Sequence, residues 1–202
     1  MALTHWVCFL FICRGPLRFQ PPSLAVVFRR LLRLGSIPVC WRVANVTPIP
    51  KGPSSSSASN NRPISLTPIL SKVFERLVSV RLMHFMECRG VLPATQITYG
   101  KGLITCDALL CVAHTLQSAL EMGQEARIVQ IDFSAAFDRV NHQGIHFKLC
   151  SVGVGGSVLS VLTQFLSNRS QYVVVDGCRK KLVNVVSGVP QGSVLGQLLI
   201  LL

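Results

Sequence analysis

Asp132 stands at the end of a short apolar run in RIVQIDFSAAFDRVNH, residues 127–142. Ile128, Val129 and Ile131 are β-branched and apolar, which predicts a buried central strand with the carboxylate at its tip. Ala135 onward predicts a helix carrying Phe137, Val140 and Ile145 on one side. A strand, an acid and a helix start place a carboxylate beside unpaired N–H groups that face an approaching anion. Anion binding is one use of that geometry; an aspartate that merely caps the next helix is the other.

Three further sites carry residues suited to phosphate or nucleotide contact. Lys51 lies in PIPKG and Arg62 in NRPISL, separated by GPSSSSASNN over residues 52–61. A guanidinium grips phosphate through two parallel N–H bonds, whereas an ammonium acts as a point charge. Alone, each is an ordinary surface cation. Gln191 and Gly192 lie in SGVPQGSVLG, where glycine permits a close backbone approach and a simple turn is the plain alternative. The acids are Glu75, Glu87, Asp107, Glu121, Glu125, Asp132, Asp138 and Asp176, so past Asp138 only Asp176 remains.

The string D-x-x-x-A-F-D over 132–138 resembles the first palm motif of reverse transcriptases. The wider chain, from about residue 22 to 197, is similar to non-LTR (LINE-type, jockey-like) retrotransposons. That resemblance implies an α+β right-hand polymerase, with fingers over about 22–125 and an early palm with an incomplete sheet over about 126–202. It implies RNA-directed DNA synthesis, with an RNA template, a DNA primer and deoxynucleoside triphosphates as partners. The reaction is an in-line attack of a primer hydroxyl on an α-phosphate, helped by two Mg²⁺ ions ~4 Å apart.

The resemblance also assigns roles. Asp132 and the Phe133 carbonyl would hold metal, with Phe133 beside the nucleotide. Phe137 would pack on the sugar and exclude a 2′-hydroxyl, although a core phenylalanine is the alternative. Ala135 and Ala136 would offer N–H groups to phosphate oxygens, Lys51 and Arg62 would grip the triphosphate, and Gln191 and Gly192 would lie over the incoming nucleotide. Asp138 belongs to the string but is assigned to ordering the helix start. Gln197 replaces a common proline and Asn61 a common aromatic residue. The family's Y/F-x-D-D string is absent from these 202 residues, so the expectation is a catalytically incomplete fragment with one of three metal carboxylates. A basic nucleic-acid-binding remnant and an unstable product are the alternatives.

Composition agrees with a polyanionic partner. The chain carries 20 Lys+Arg against 8 Asp+Glu, a formal charge of +12, and this favours nucleic acid. It is 50% hydrophobic and only 14% charged, which is greasy for an isolated domain. Eight scattered cysteines form no C-x-x-C pair, which argues for buried reduced thiols in an intracellular protein, nuclear or cytoplasmic, rather than zinc. Residues 1–21 are expected to be an unrelated leader, and WVCFLFIC over 6–13 is too short to cross a membrane.

The elements that must position these residues follow from periodicity. A helix is expected over 23–34, with Leu24, Val27, Phe28, Leu31 and Leu32 on one face and Gly35 after it. A strand over 43–49 comes next, then a helix over 67–89 capped by Thr67, with Ile69, Val73, Leu77, Val80 and Phe85 on one face. Further helices are expected over 107–120 and 153–165. Strands at 171–177 and 182–186 are expected to form a hairpin about Asp176–Gly177.

Overall fold

The computed structural model describes residues 21–52, 60–93, 96–97 and 104–202. The expected leader falls outside them except for residue 21, as does most of the serine-rich stretch at 52–61. The architecture is α+β. A helix α1 (Pro21–Leu34) leads through one 3-10 turn into β1 (Val43–Pro50), and β2 (Asn61–Leu66) follows. Then come α2 (Ile69–Cys88), α3 (Thr105–Glu121), α4 (His142–Ser151) and α5 (Gly156–Leu166). The strands β3 (Arg169–Val175), β4 (Cys178–Arg179) and β5 (Val183–Val185) precede a last helix, α6 (Val194–Leu199).

The sheet runs β2-β1-β3-β4, with β5 also paired to β3. β1 and β2 are antiparallel, with Pro48 opposite Pro63 and Ile49 opposite Arg62. The Lys51 N–H donates to Asn60 O at 2.9 Å, which fixes the alternation along this ladder. Pro48 and Pro63 then occupy a pair whose N–H groups would point away from each other. Pro48 therefore has no donor to offer β3, and the parallel β1–β3 ladder stops at Val46 opposite Val173. Pro63 likewise leaves a gap on the outer edge of β2, a position that tolerates proline. The expected hairpin forms: Asp176 (φ 50°) and Gly177 (φ 77°) make the two-residue turn between β3 and β4. Arg179 pairs with Val174, but Val183 pairs with Gln171, so one extra residue enters between the two ladders.

Helices pack against the other side of the sheet. Phe28, Trp41 and Phe74 form an aromatic trio with ring centroids 5.4–6.4 Å apart. Val78, Leu82 and Met86 of α2, Val161, Leu162, Phe165 and Leu166 of α5, and Leu195, Leu198 and Leu199 of α6 complete the core.

Several expectations are corrected here. Residues 127–131 form no strand among the described residues, and Ile128, Val129 and Ile131 are 67%, 82% and 76% exposed. No described strand lies beside them, and an unpaired strand can satisfy its backbone only with water. The helix expected from Ala135 begins at His142 instead. Ala135 has φ 54°, its carbonyl accepts from the N–H groups of Asp138 and Arg139, and the chain turns there. Asn141 is the true cap, its Oδ1 accepting from the Gly144 N–H at 2.9 Å. The buried face of α2 is rotated from the expected one: Phe74, Val78, Leu82 and Met86 are inside, while Ile69 and Val80 are exposed. Thr67 does not cap α2, and its buried hydroxyl has no hydrogen-bond partner among the described residues. Val27 of α1 faces solvent. No residue of α3 is buried, and Cys40, Cys88, Cys106, Cys111, Cys150 and Cys178 are exposed rather than packed away.

Candidate nucleic-acid interface

The segment 187–195 ties three parts of the chain together through backbone bonds. Gly188 N–H donates to Val140 O at 2.9 Å, Val189 N–H to Phe137 O at 2.7 Å, and the Ser187 hydroxyl to Asp138 O at 3.2 Å. His142 Nε2 meets Gly188 O at 2.7 Å. Gly188 leaves no room for a side chain unless the backbone shifts: at φ 82°, a Cβ would sit 2.7 Å from Phe137 O and 2.9 Å from Asp138 O. Three residues on, Gln191 O accepts from the Ser65 N–H at 2.7 Å, on the outward edge that the proline register leaves open. Gly192 (φ 103°) lies against the same edge, where a Cβ would be 3.2 Å from Ser65 O.

The N-terminus of α6 is closed by protein groups. Glu75 is only 2% exposed, and its Oε2 accepts from Val194 N–H at 2.9 Å and Leu195 N–H at 3.3 Å. Its Oε1 accepts from the Ser71 hydroxyl at 2.9 Å. Ser193 Oγ takes the Gly196 N–H at 3.1 Å. A carboxylate thus fills the place an outside anion would take at a helix start. The sequence reading assigned α2 no such role. The available signal was an acid inside an apolar helical face, visible only once that face is correctly oriented at 74, 78 and 82.

Strand register places Lys51 and Arg62 precisely enough to say which face they share. Ile49 and Arg62 are partners, as are Thr47 with Ile64 and Asn45 with both Leu66 and Tyr172, so these side chains lie on one face of the sheet. Lys51, two residues beyond Ile49, continues that row. Lys51 and Arg62 are exposed. The opposite face carries Ala44, Pro63, Ser65 and Gln171, which with Asp138, Arg169 and residues 186–190 line a cleft of about 270 Å³. Gln191 thus reaches the strand that bears Arg62, but Arg62 projects away from the cleft that Asp138 lines.

Arg169 is buried at the rim of the same cleft. Its Nη1 donates to Phe165 O at 3.0 Å, its guanidinium lies 5.0 Å from the Phe165 ring centre, and its Nη2 has no hydrogen-bond partner among the described residues. Burial pulls its pKa down to about 10; Glu75 opposes that shift and Arg42 adds to it.

Asp132 and Phe133 are exposed, and Ala135 and Ala136 lie in a turn rather than at a helix N-terminus. Phe137 is half-buried and packs against the core. No group of three or more His, Cys, Asp or Glu side chains converges among the described residues. Asp132 therefore lacks the neighbouring donors a divalent ion needs, and the residues present do not fit a metal centre. No described helix is long and apolar enough to cross a membrane.

Comparison with known proteins agrees with the motifs. The chain is 33% identical over 193 residues to a probable RNA-directed DNA polymerase from transposon X-element of Drosophila melanogaster, covering 93% of this chain and 21% of that protein. It is 33% identical over 174 residues to the RNA-directed DNA polymerase from mobile element jockey of the same fly, covering 86% of this chain and 19% of that protein. A probable RNA-directed DNA polymerase from transposon BS is also 33% identical, over 93% of this chain and 21% of that protein. The chain spans about a fifth of the length of these relatives. Residues 49–202 match the family described as reverse transcriptase (RNA-dependent DNA polymerase), and the chain belongs to that family.

Proposed function

We propose that this chain is the fingers and early palm part of a retrotransposon RNA-directed DNA polymerase, and that it grips nucleic acid and nucleotide rather than completing the reaction alone. One observation carries the reading: the Ser65–Gln191 bond joins the Gln191–Gly192 turn to the hairpin bearing Lys51 and Arg62. In this reading Arg62 and Lys51 hold phosphate, Gln191 and Gly192 flank the nucleotide, and Phe137 bounds the sugar side. The partners are an RNA template, a DNA primer and deoxynucleoside triphosphates. The net charge of +12 supports a polyanion.

Magnesium is the cofactor expected of the family, and Asp132 with the Phe133 carbonyl would be its first donors. Among the described residues no other acids converge with Asp132, so no chemical step is assigned to it. Primer extension by the purified chain with Mg²⁺, on an RNA template with a DNA primer, tests this. The expected result is hybrid binding that weakens steeply with salt and no extension. Processive synthesis would refute the incompleteness, and salt-insensitive or absent binding would refute the nucleic-acid role.

A further inference from the structure

Arg169 carries more charge than its neighbours answer. It is 2% exposed, it lines the cleft, and its Nη2 has no hydrogen-bond partner among the described residues. The β1–β3 register, continued one residue before its first pair, puts Arg42 beside it, and the charge of Arg42 is felt there. Arg42 Nη2 donates to Ile37 O at 3.2 Å and to Gln164 Oε1 at 2.8 Å. Its buried Nε, like Arg169 Nη2, has no hydrogen-bond partner among the described residues. Glu75 is the acid whose charge reaches Arg169. Both its oxygens are already held, by Ser71 and by the start of α6. Neither arginine forms an ion pair among the described residues. A buried cation with a spare N–H is costly unless an anion meets it.

The cleft supplies the rest of a site for a small anion. Alternation along the strands puts Gln171 and Ser65 on the face that bears Arg169, and Ala44 between them carries only a methyl group. The cleft's volume, about 270 Å³, lies below the ~300–1,000 Å³ of pockets for drug-sized molecules, so it suits one ionic group. Asp138 also lines it, exposed and without an ion pair among the described residues. A carboxylate repels an anion that has no proton to give. From an anion that carries an O–H it accepts a short, charge-assisted bond. A guanidinium and a carboxylate in one cleft therefore select a protonated oxyanion. Inorganic phosphate keeps one O–H above neutral pH. Sulfate has none, and a phosphate monoester, with a second pKa of about 6, has lost its own.

We infer that the cleft between Arg169 and Asp138 is a binding site for inorganic hydrogen phosphate. Arg169 Nη2 donates to one oxygen, the P–OH donates to the Asp138 carboxylate, and Ser65 and Gln171 stand beside the remaining oxygens. The site does not rest on the polymerase reading, because Lys51 and Arg62 lie on the other face of the sheet.

Calorimetric titration of the full chain with sodium phosphate, sodium sulfate and uridine 5′-monophosphate, slightly above neutral pH and at equal ionic strength, tests this. The wild type binds phosphate at least about tenfold more tightly than either of the others, the scale of one hydrogen bond to a charged group. Asp138→Asn, at an exposed position, abolishes the preference over sulfate, since an amide can donate to either ion. Arg169→Met abolishes binding and Arg169→Lys weakens it. A thermal melt verifies that each variant folds, and the Asp138→Asn result decides the matter even where a substitution at the buried arginine unfolds the chain. Equal affinity for phosphate and sulfate, no phosphate binding at millimolar concentration, or a preference that survives Asp138→Asn overturns the site. Uridine 5′-monophosphate bound as tightly as phosphate overturns the assignment to the free ion.

Discussion

Ser65 donates its N–H to Gln191 O at 2.7 Å, and the prolines at 48 and 63 decide that it can. Their pairing turns the Ser65 N–H outward, away from β1, and leaves β2 with a donor at its open edge. The Gln191–Gly192 turn satisfies it. The two glycines of this segment are then unequal. At Gly188 a new Cβ would press on backbone atoms at 2.7–2.9 Å, whereas at Gly192 the nearest atom is 3.2 Å away. Both have positive φ. Gly188→Ala should cost roughly 3 kcal/mol and Gly192→Ala roughly 1–2 kcal/mol in urea unfolding. The reverse order would show that 187–189 is not held against 137–140 as described.

Glu75 offers a second test of the same segment. Glu75→Ala strands the Val194 and Leu195 N–H groups in a buried place, at about 2–4 kcal/mol. Glu75→Gln keeps one acceptor oxygen and should recover part of the loss. Hydrogen exchange at the Ser65 amide reports the consequence directly: faster in the alanine variant, close to wild type in the glutamine variant. Equal protection in both would mean that α6 does not position the Gln191 turn.

Arg169 predicts a pH dependence of unusual sign. Its folded pKa is lowered by burial to about 10, below its value in the unfolded chain. Above that pH the folded state gives up a proton that the unfolded state keeps, so stability rises with pH. Below it, both states are charged and the full cost of burying the guanidinium is present. Arg169→Met has no such group. The wild type should therefore gain on this variant between about pH 9 and 11, by at most ~1.4 kcal/mol per pH unit. Parallel stability curves for the two proteins would exclude a desolvated guanidinium.

Lys51 and Arg62 are solvent-exposed cations with no described ion pair. Lys51→Gln and Arg62→Gln should leave the melting temperature unchanged and reduce the salt slope of hybrid binding by about 0.7–0.9 each. Arg62→Lys should restore the slope but not the full affinity, since the ammonium cannot form the paired bonds. Fluorescence anisotropy at several salt concentrations measures both. Unaltered slopes would remove these residues from the interface.

What could be read in advance followed local chemistry. Asp176–Gly177 dictates a tight hairpin by backbone preference alone, and Gly35 ends its helix for the same reason. The Lys51, Arg62 and Gln191 strings were recognisable as strings, and the structure brings the last of these to the strand bearing Arg62. What failed depended on partners distant in sequence. Glu75 caps a helix 119 residues away, and no pattern within α2 states that. Both the 69–73–77 row and the 74–78–82 row of α2 are apolar, and packing against α1 and α6 chooses the second. Residues 127–131 have strand composition, yet composition supplies no neighbouring edge.

That last segment yields the sharpest prediction. Val129 is 82% exposed and Ile131 76% exposed, on a stretch outside every ladder. Val129→Ser and Ile131→Ser should each change stability by less than ~0.5 kcal/mol, as surface positions do. Were the same residues in a packed central strand, each substitution would cost about 2–4 kcal/mol through lost burial. The two outcomes differ by far more than the error of a urea titration. The serine variants should also aggregate less, since a run of exposed β-branched residues is a template for pairing with another chain. A large loss of stability with either substitution would mean that this stretch, and Asp132 at its end, is packed after all.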